Sequence, residues 1–286
     1  MVNDPGTLYV VATPIGNLDD LSTRARDVLA HVDLVAAEDT RRAAQLLTGL
    51  GVRKKLISLH EHNESERAEK ILKVLQAGDN VALISDAGTP LISDPGYRLL
   101  AAVRRESLPV SPVPGSCAAI AVLSIAGLPS DRFRFEGFLP AKAVARKKKL
   151  ATLCRNPETL ILYESVHRIR DLLADLEAVA GPSRPITLAR ELTKRHETIY
   201  RGSVAEVRAQ LDADAGGDKG EFTLVLAGLS EAISPERAEL ERLLEILLDE
   251  VSTRQAARLA ARITGARRSE AYELAVRLRE ATKPKS

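Results

Sequence analysis

Tryptophan is absent from the 286 residues, and aromatic side chains make up only 3% of them. A core therefore has to be assembled from Leu, Val, Ile and Ala. Gripping single-stranded nucleic acid by rows of stacked bases is also disfavoured, because that mode needs aromatic faces at the surface. Cysteine occurs twice, at Cys117 and Cys154. Neither sits in a CxxC or zinc-ligand spacing, so two free thiols in a reducing compartment are expected. No apolar run approaches the roughly 20 residues that cross a bilayer. Met1–Gly6 has neither a basic n-region nor a long apolar stretch before Pro14, so no secretory signal is expected. HExxH is missing, and His60 and His62 have no third obvious ligand nearby, so no metal is expected. These absences together point to a cytoplasmic protein without a membrane span.

What remains is ordinary for a globular chain: 45% hydrophobic and 28% charged residues, and length enough for two medium domains and a small third one. Short apolar runs at Leu8–Ala12, Leu34–Ala37, Leu56–Leu59, Val81–Ile84 and Val110–Val113 read as buried strands. Helical patterns at Leu21–Ala30, Arg41–Leu47, Ser65–Gln76 and Gly96–Arg105 lie between them. That alternation predicts a mainly parallel sheet covered by helices, spanning about residues 7–112.

After the Pro112-Val113-Pro114-Gly115 punctuation a second α/β domain is expected, to about residue 230. Its strands are Phe133–Phe138, Thr159–Tyr163, Ile186–Ala189, Thr198–Arg201 and Phe222–Ala227, and several follow one another directly, which predicts a mixed sheet. Its helices are Ser116–Ala126, Ala143–Cys154, Val166–Ala180 and Val204–Leu211, and Ala213–Gly220 reads as a flexible loop. From 235 to 286 the strands stop. Glu236–Glu250, Ser252–Ile263 and Ser269–Glu280 read as helices, with Ser252 and Ser269 suited to N-caps. The fold class is thus α/β with a small all-α module at the end.

Several short motifs follow predicted strands, where open α/β sheets bind ligands. Thr13-Pro14-Ile15-Gly16-Asn17-Leu18 reads either as a plain turn or as a loop whose glycine admits a ligand to the backbone. Ser85-Asp86-Ala87-Gly88-Thr89-Pro90, with Ile92-Ser93-Asp94-Pro95-Gly96 behind it, is long for an α/β connection. It reads either as two turns capping a helix or as a pocket wall of exposed backbone, with Asp86 and Asp94 able to accept from hydroxyl or ammonium donors. Glu38-Asp39-Thr40-Arg41-Arg42 offers a proton acceptor beside phosphate-binding guanidiniums, or a capped helix start. Tyr163–Arg168 and Arg190–Glu197 are polar clusters at strand ends of the second domain; an ion-pair network is their simpler reading.

Taken in order, Ala12–Leu18, Ala37–Arg41, His60–Glu64, Ser85–Gly96, Pro114–Ala118, Tyr163–Arg168, Arg190–Glu197 and Lys219–Gly228 resemble the tetrapyrrole methylase superfamily. Within it the chain is similar to the 16S rRNA (cytidine-2′-O)-methyltransferase family, and the helical tail resembles the helix-turn-helix module that ends its members. The resemblance implies S-adenosyl-L-methionine bound in a cleft between the two α/β domains, usually in a homodimer. Cofactor contacts would come from Pro14 and Gly16, from Asp86, Ala87 and Gly88, from Ser116 and Ala118, and from positions near Tyr163, Arg190 and Ala227. Two departures stand out. Asp86-Ala87-Gly88 replaces the Gly-Asp-Pro of many members, and Thr13–Asn17 replaces the Gly-rich first loop of the tetrapyrrole-making relatives, which favours the rRNA branch.

The implied reaction is methylation of a ribose 2′-hydroxyl of a cytidine in 16S rRNA, or in the small ribosomal subunit. That hydroxyl is a poor nucleophile, so a base is expected. Glu38, Asp39 and His60 are the first-domain candidates and Glu191 the second-domain one. Charge bears on the substrate independently. Arg254, Arg258 and Arg262 recur at i+4 and form one stripe on a helix, suited to phosphate. Arg146 and Lys147 open a second basic run, and Arg41 and Arg42 a third. A tetrapyrrole methyltransferase would have no use for an arginine-striped appendage. A non-catalytic RNA-binding protein of ribosome assembly would bind no cofactor.

Overall fold

The computed structural model describes residues 4–217, 219–229 and 235–281, without the side chains of 235–238, 280 and 281. One compact unit comprises residues up to Cys154 and Glu158–Ala227; a second comprises Arg155–Pro157 and the chain from Gly228.

The first unit contains two five-stranded sheets. In the first, β1 (Leu8–Val11), β2 (Leu34–Ala37), β3 (Lys55–Ser58), β4 (Val81–Ile84) and β5 (Val110–Val113) run in the order β3-β2-β4-β1-β5. All of its pairs are parallel. Parallel strands are covered on both faces, which is why they are continuous apolar runs. The alternation within the runs divides the core. Val35, Ala37, Ala82 and Ile84 pack with Ala25 and Leu29 of α1 (Thr23–His31) and Ala43 and Leu47 of α2 (Thr40–Gly49). Ala36, Val81 and Leu83 face the other way, onto Ile71 and Leu75 of α3 (Glu64–Gln76) and Leu99 and Val103 of α4 (Tyr97–Arg105). Because every strand points the same way, the loops after β1, β2 and β4 emerge together at one edge.

In the second sheet, β6 (Phe133–Phe138), β7 (Thr159–Ser165), β8 (Pro185–Arg190), β9 (Thr198–Ser203) and β10 (Glu221–Leu226) run in the order β6-β7-β10-β8-β9. Only β6 and β7 pair in parallel; the other pairs are antiparallel, so the sheet is mixed as the sequence predicts. Ala119, Val122 and Leu123 of α5 (Ala118–Ile125) cover one face against Ile161, Ala189 and Val225. The other face carries α6 (Ala143–Leu153), α7 (Ile169–Ala180) and α8 (Val204–Ala213) over Leu160, Leu162, Leu188 and Leu224. Here one edge collects the ends of β6, β7 and β8 but the beginnings of β9 and β10.

The loop predicted at Ala213–Gly220 includes residue 218, which lies outside the described residues. Its described part is tied down rather than free: Arg190 donates to the Gly216 carbonyl at 2.5 Å and sits 3.2 Å from Asp214.

In the second unit, α9 (Pro235–Glu250), α10 (Thr253–Thr264) and α11 (Arg268–Ala281) close around Leu240, Leu244, Ala256, Ala260, Ala271 and Ala275. Ser252 caps α10 and forms a reciprocal capping box with Gln255, and Gly265 ends the helix in the left-handed region at φ 77°. Ser269 is not a cap. Helix α11 already begins at Arg268, which places Ser269 in its first turn.

Candidate functional site

The loop after β4 is stitched to its neighbours by backbone. Thr13 and Gly88 exchange both N–H···O bonds, at 2.9 and 3.1 Å. The Thr13 hydroxyl donates to the Ser85 carbonyl at 3.2 Å, and the Thr89 hydroxyl donates to the Ser116 carbonyl at 3.0 Å. Gly88 has φ 86°, and a Cβ there would lie 3.3 Å from Ile15 and 3.6 Å from the Ser116 carbonyl. Only glycine takes that backbone without strain. Asp86 is held on both oxygens: one accepts from the Asp39 N–H at 3.0 Å, and the other lies 3.3 Å from Arg42.

These loops form one wall of a cavity of about 410 Å³. Glu38, Asp86, Ala87, Gly88 and Asp94 line it from the first sheet's edge; Ala118, Phe138, Tyr163, Glu164, Glu191 and Thr223 line it from the second. The second wall is aromatic. Tyr163 makes edge contacts with Phe135 and Phe138 at 4.9 and 5.8 Å between centroids, and its hydroxyl accepts from the Ala119 N–H at 3.1 Å. Burial, foremost, pushes the Tyr163 hydroxyl pKa up. The first wall is acidic. Burial, reinforced by Asp94 and Asp86, raises Glu38 above the usual carboxylate range. Burial also pushes Asp94 up to about 6.

The cavity brings together Asp86, Ala87, Gly88, Ala118 and Tyr163 of the expected cofactor contacts, with Glu38 and Glu191 of the expected bases. Pro14 and Gly16 line a neighbouring cavity of about 250 Å³, which shares Arg42 and Asp86 with the larger one. Ser116 contributes its carbonyl to the Thr89 bond rather than to a lining. Two expected contacts lie elsewhere. Arg190 is 7% exposed, and its guanidinium is engaged by Gly216, Thr198 and Asp214. Ala227 is at the wrong end of its strand. Strand β10 runs antiparallel to β7, so Thr223 meets the cavity while Ala227 lies roughly 13 Å further along.

The expected bases separate by what their side chains already hold. Asp39 caps α2 and accepts from the Arg41 N–H at 2.8 Å and its guanidinium at 2.7 Å. Those bonds hold its carboxyl far below the usual range, so it is already engaged and a weak proton acceptor. His60 lines neither cavity, and its Nε2 is 3.1 Å from the Asn63 amide nitrogen. Burial raises the Glu191 pKa, but Lys194 Nζ at 2.9 Å and the Glu221 N–H at 3.0 Å outweigh it and leave that pKa lowered. Glu38 alone of the four combines a place in the cavity with a raised pKa.

Among the expected RNA contacts, Arg146 is a correction. It is 3% exposed and donates to Asp175 at 2.6 Å. It fastens α6 to α7 and presents no charge to a ligand, which its place in a basic run concealed. Lys147 is half-exposed beside the same Asp175. Arg41 and Arg42 are exposed but paired with Asp39 and Asp86. Arg254, Arg258 and Arg262 are exposed, and no ion pair involves them among the described residues. Phe138 and Thr223 were not singled out in advance, and Glu164 only as part of the Tyr163–Arg168 cluster. A Phe at a strand end in so aromatic-poor a chain was the one available signal.

Residues 7–208 match the family model of tetrapyrrole (corrin/porphyrin) methylases, so the fold is that of a methylase. Residues 234–279 match the model for the RsmI C-terminal HTH domain. Across 96% of both chains the sequence is 49% identical to ribosomal RNA small subunit methyltransferase I of Escherichia coli O157:H7. It is 50% identical to the protein of that name from Pseudomonas aeruginosa, over 95% of this chain and 97% of that one. The chain belongs to the ribosomal RNA small subunit methyltransferase I family. The crystal structure of uroporphyrin-III C-methyltransferase from Thermus thermophilus, complexed with S-adenyl homocysteine, shares the fold at 19% identity. Its TM-score is 0.52, covering 77% of this chain and 97% of that one. No described helix is long and apolar enough to cross a membrane.

Proposed function

We propose that this chain transfers a methyl group from S-adenosyl-L-methionine to the ribose 2′-hydroxyl of a cytidine in small-subunit (16S) ribosomal RNA, acting in the cytoplasm as a homodimer. The observation that carries this reading is near-50% identity to ribosomal RNA small subunit methyltransferases over almost the whole chain, tail included. The division of labour would be an α/β pair at about 7–112 and 113–230 and a helical module at 235–286.

The cavity suits the cofactor on three counts. Gly88 leaves a cradle that a Cβ would narrow. The acidic wall of Glu38, Asp86 and Asp94 suits a sulfonium and an ammonium. The Tyr163 and Phe138 wall suits a planar base. In this reading Asp86, Ala87, Gly88, Ala118 and Tyr163 hold the cofactor, with Ser116 supporting them from behind, and Pro14 and Gly16 line the adjoining cavity. When bound, the cofactor supplies an electrophilic methyl on a positive sulfur. The protein's part is largely to align two reactants, which is worth roughly 7–11 kcal/mol, and to remove a proton, a task for which the cavity wall offers several carboxylates.

RNA would be held by the exposed arginines Arg254, Arg258 and Arg262, with Arg41, Arg42 and Lys147 adding charge beside the α/β sheets. Incubating purified small subunits with labelled cofactor and mapping the product is the direct test. A single 2′-O-methylcytidine in 16S rRNA is expected; label on a base, or none, sinks the reading. Replacing the three tail arginines with Ala should flatten the slope of log affinity against log salt by about 2, with cofactor affinity unchanged.

A further inference from the structure

The segment from Leu91 to Gly96 is built under backbone strain. Leu91 and Ser93 are non-glycine residues in the left-handed region, at φ 71° and 69°, and Gly96 follows at 133°. Such conformations persist only where their surroundings impose them. Leu91 is partly buried and packs against the core cluster that includes Leu83 of the first sheet and Leu99 of α4. Ser93 is exposed but closely approached from the other side: the register of β6 shifts between Phe135 and Gly137, and a Cβ on Gly137 would lie 2.8 Å from the Ser93 hydroxyl. The bulge in the second sheet thus makes room for a loop of the first. Asp94 stands beside that contact, in the cavity wall. Facing it are Ser85, Asp86 and Glu38 from the first half and Tyr163 from the second.

We propose that Asp94 is the proton acceptor for methyl transfer, an assignment that rests on the ribose-methyltransferase reading. An oxygen lone pair of the 2′-hydroxyl forms the new O–CH3 bond and the C–S pair stays on sulfur. The hydroxyl proton passes to the Asp94 carboxylate and then to water. The competing carboxylates are less suited. Asp86 is held on both oxygens, Glu191 is held by Lys194 and the Glu221 N–H, and Glu38 has no strained segment fixing its position. Burial raises the Asp94 pKa to about 6, with Asp86 adding to the rise and the Ser85 hydroxyl opposing it. A carboxylate at that value is ionised at neutral pH yet more basic than an ordinary one.

The test uses the full-length wild-type enzyme, Asp94→Asn and Glu38→Gln, with small subunits as substrate. Single-turnover rates are measured from pH 5 to 9, and cofactor affinity is measured by calorimetry without RNA. For Asp94→Asn the rate should fall about 10²–10⁴-fold, losing the acid limb centred near pH 6 that the wild type shows. Its cofactor Kd at pH 8 should rise by far less than the rate falls, about tenfold at most, because Asp94 is only one of three carboxylates on that wall. Carboxyl 13C NMR of Asp-labelled wild-type protein should show one aspartate titrating near 6, and this observation needs no variant to fold. An Asp94→Asn rate within threefold of wild type overturns the assignment. So does a limb removed by Glu38→Gln instead, a defect confined to cofactor Kd, or the absence of any aspartate titrating near 6. If the wild type itself labels no ribose, the functional reading has failed and not this step.

Discussion

The two walls of the cavity are made in different ways because the two sheets are. In the first sheet all strands are parallel, so every loop at one edge follows a strand end, and the wall is turns, backbone and short acidic side chains. In the second sheet directions are mixed, so the edge combines strand ends with strand beginnings, and the wall joins the aromatic side chains of Phe138 and Tyr163 to the polar ones of Glu164, Glu191 and Thr223. A strand's direction therefore decides which of its residues reach a ligand. Tyr163 near the end of β7 lines the cavity, and so does Thr223 near the start of β10, while Ala227 does not.

The largest effect should come from breaking the first wall. Gly88→Val puts a β-branched side chain at φ 86°, with its Cβ 3.3 Å from Ile15. Strain of this kind costs about 1–3 kcal/mol before any clash. Cofactor Kd should rise by about 100-fold or more. Calorimetry showing less than a fivefold change would mean that the cofactor does not use this turn.

The second wall predicts a different response. Arg190 sits at a strand end beside the cavity yet serves the loop at Asp214 and Gly216. Its replacement by Ala leaves a buried network short of its cation, which should lower stability by about 2–3 kcal/mol. Chemical denaturation checks that figure. Cofactor affinity should change less than threefold, and a larger loss would return Arg190 to the binding site.

The sequence reveals the fold well, because parallel strands buried on both faces leave continuous apolar runs and helices leave their own period. Leu34–Ala37 and Val81–Ile84 are strands with the predicted bounds. The first wall was also legible, since a turn as long as Ser85–Gly96 has no purely connective reason to exist. The second wall was legible only in part: Ala118, Tyr163 and Glu191 were expected where the cavity has them, but the roles of the cations around it were not. Arg190 and Arg146 look like ligand-binding cations in one dimension, and only the fold brings Asp214 and Asp175 to them. Asp39 and Glu191 are a related case: their partners Arg41 and Lys194 are near in sequence, but only side-chain geometry shows both carboxylates engaged. Gly137 is the sharpest case, because no local pattern marks a glycine whose use is to let Ser93 of the other half approach.

The smallest effect tests whether the first wall is held against its own electrostatics. Asp94 titrates near 6 in the folded protein, raised chiefly by burial, against an ordinary value of 3.8. Between those values the folded state binds more protons than the unfolded one, so this group's contribution to stability falls as pH rises from about 4 to 6 and then levels off. The full shift would correspond to about 3 kcal/mol, but Asp94 is only half-buried and solvent screening reduces this to about 1 kcal/mol. Asp94→Asn should therefore stabilise the protein by about 1 kcal/mol at pH 7.5, raising Tm by a few degrees. The gain should vanish below pH 4, where both forms of the wild type are protonated. Glu38 and Asp86 face the same cavity, so part of the gain would come from relieving them of a neighbouring charge. Thermal denaturation from pH 4 to 8 reads the difference directly. If the two Tm curves stay parallel across that range, Asp94 is not strained by its site, and the acidic wall is as relaxed as the aromatic one.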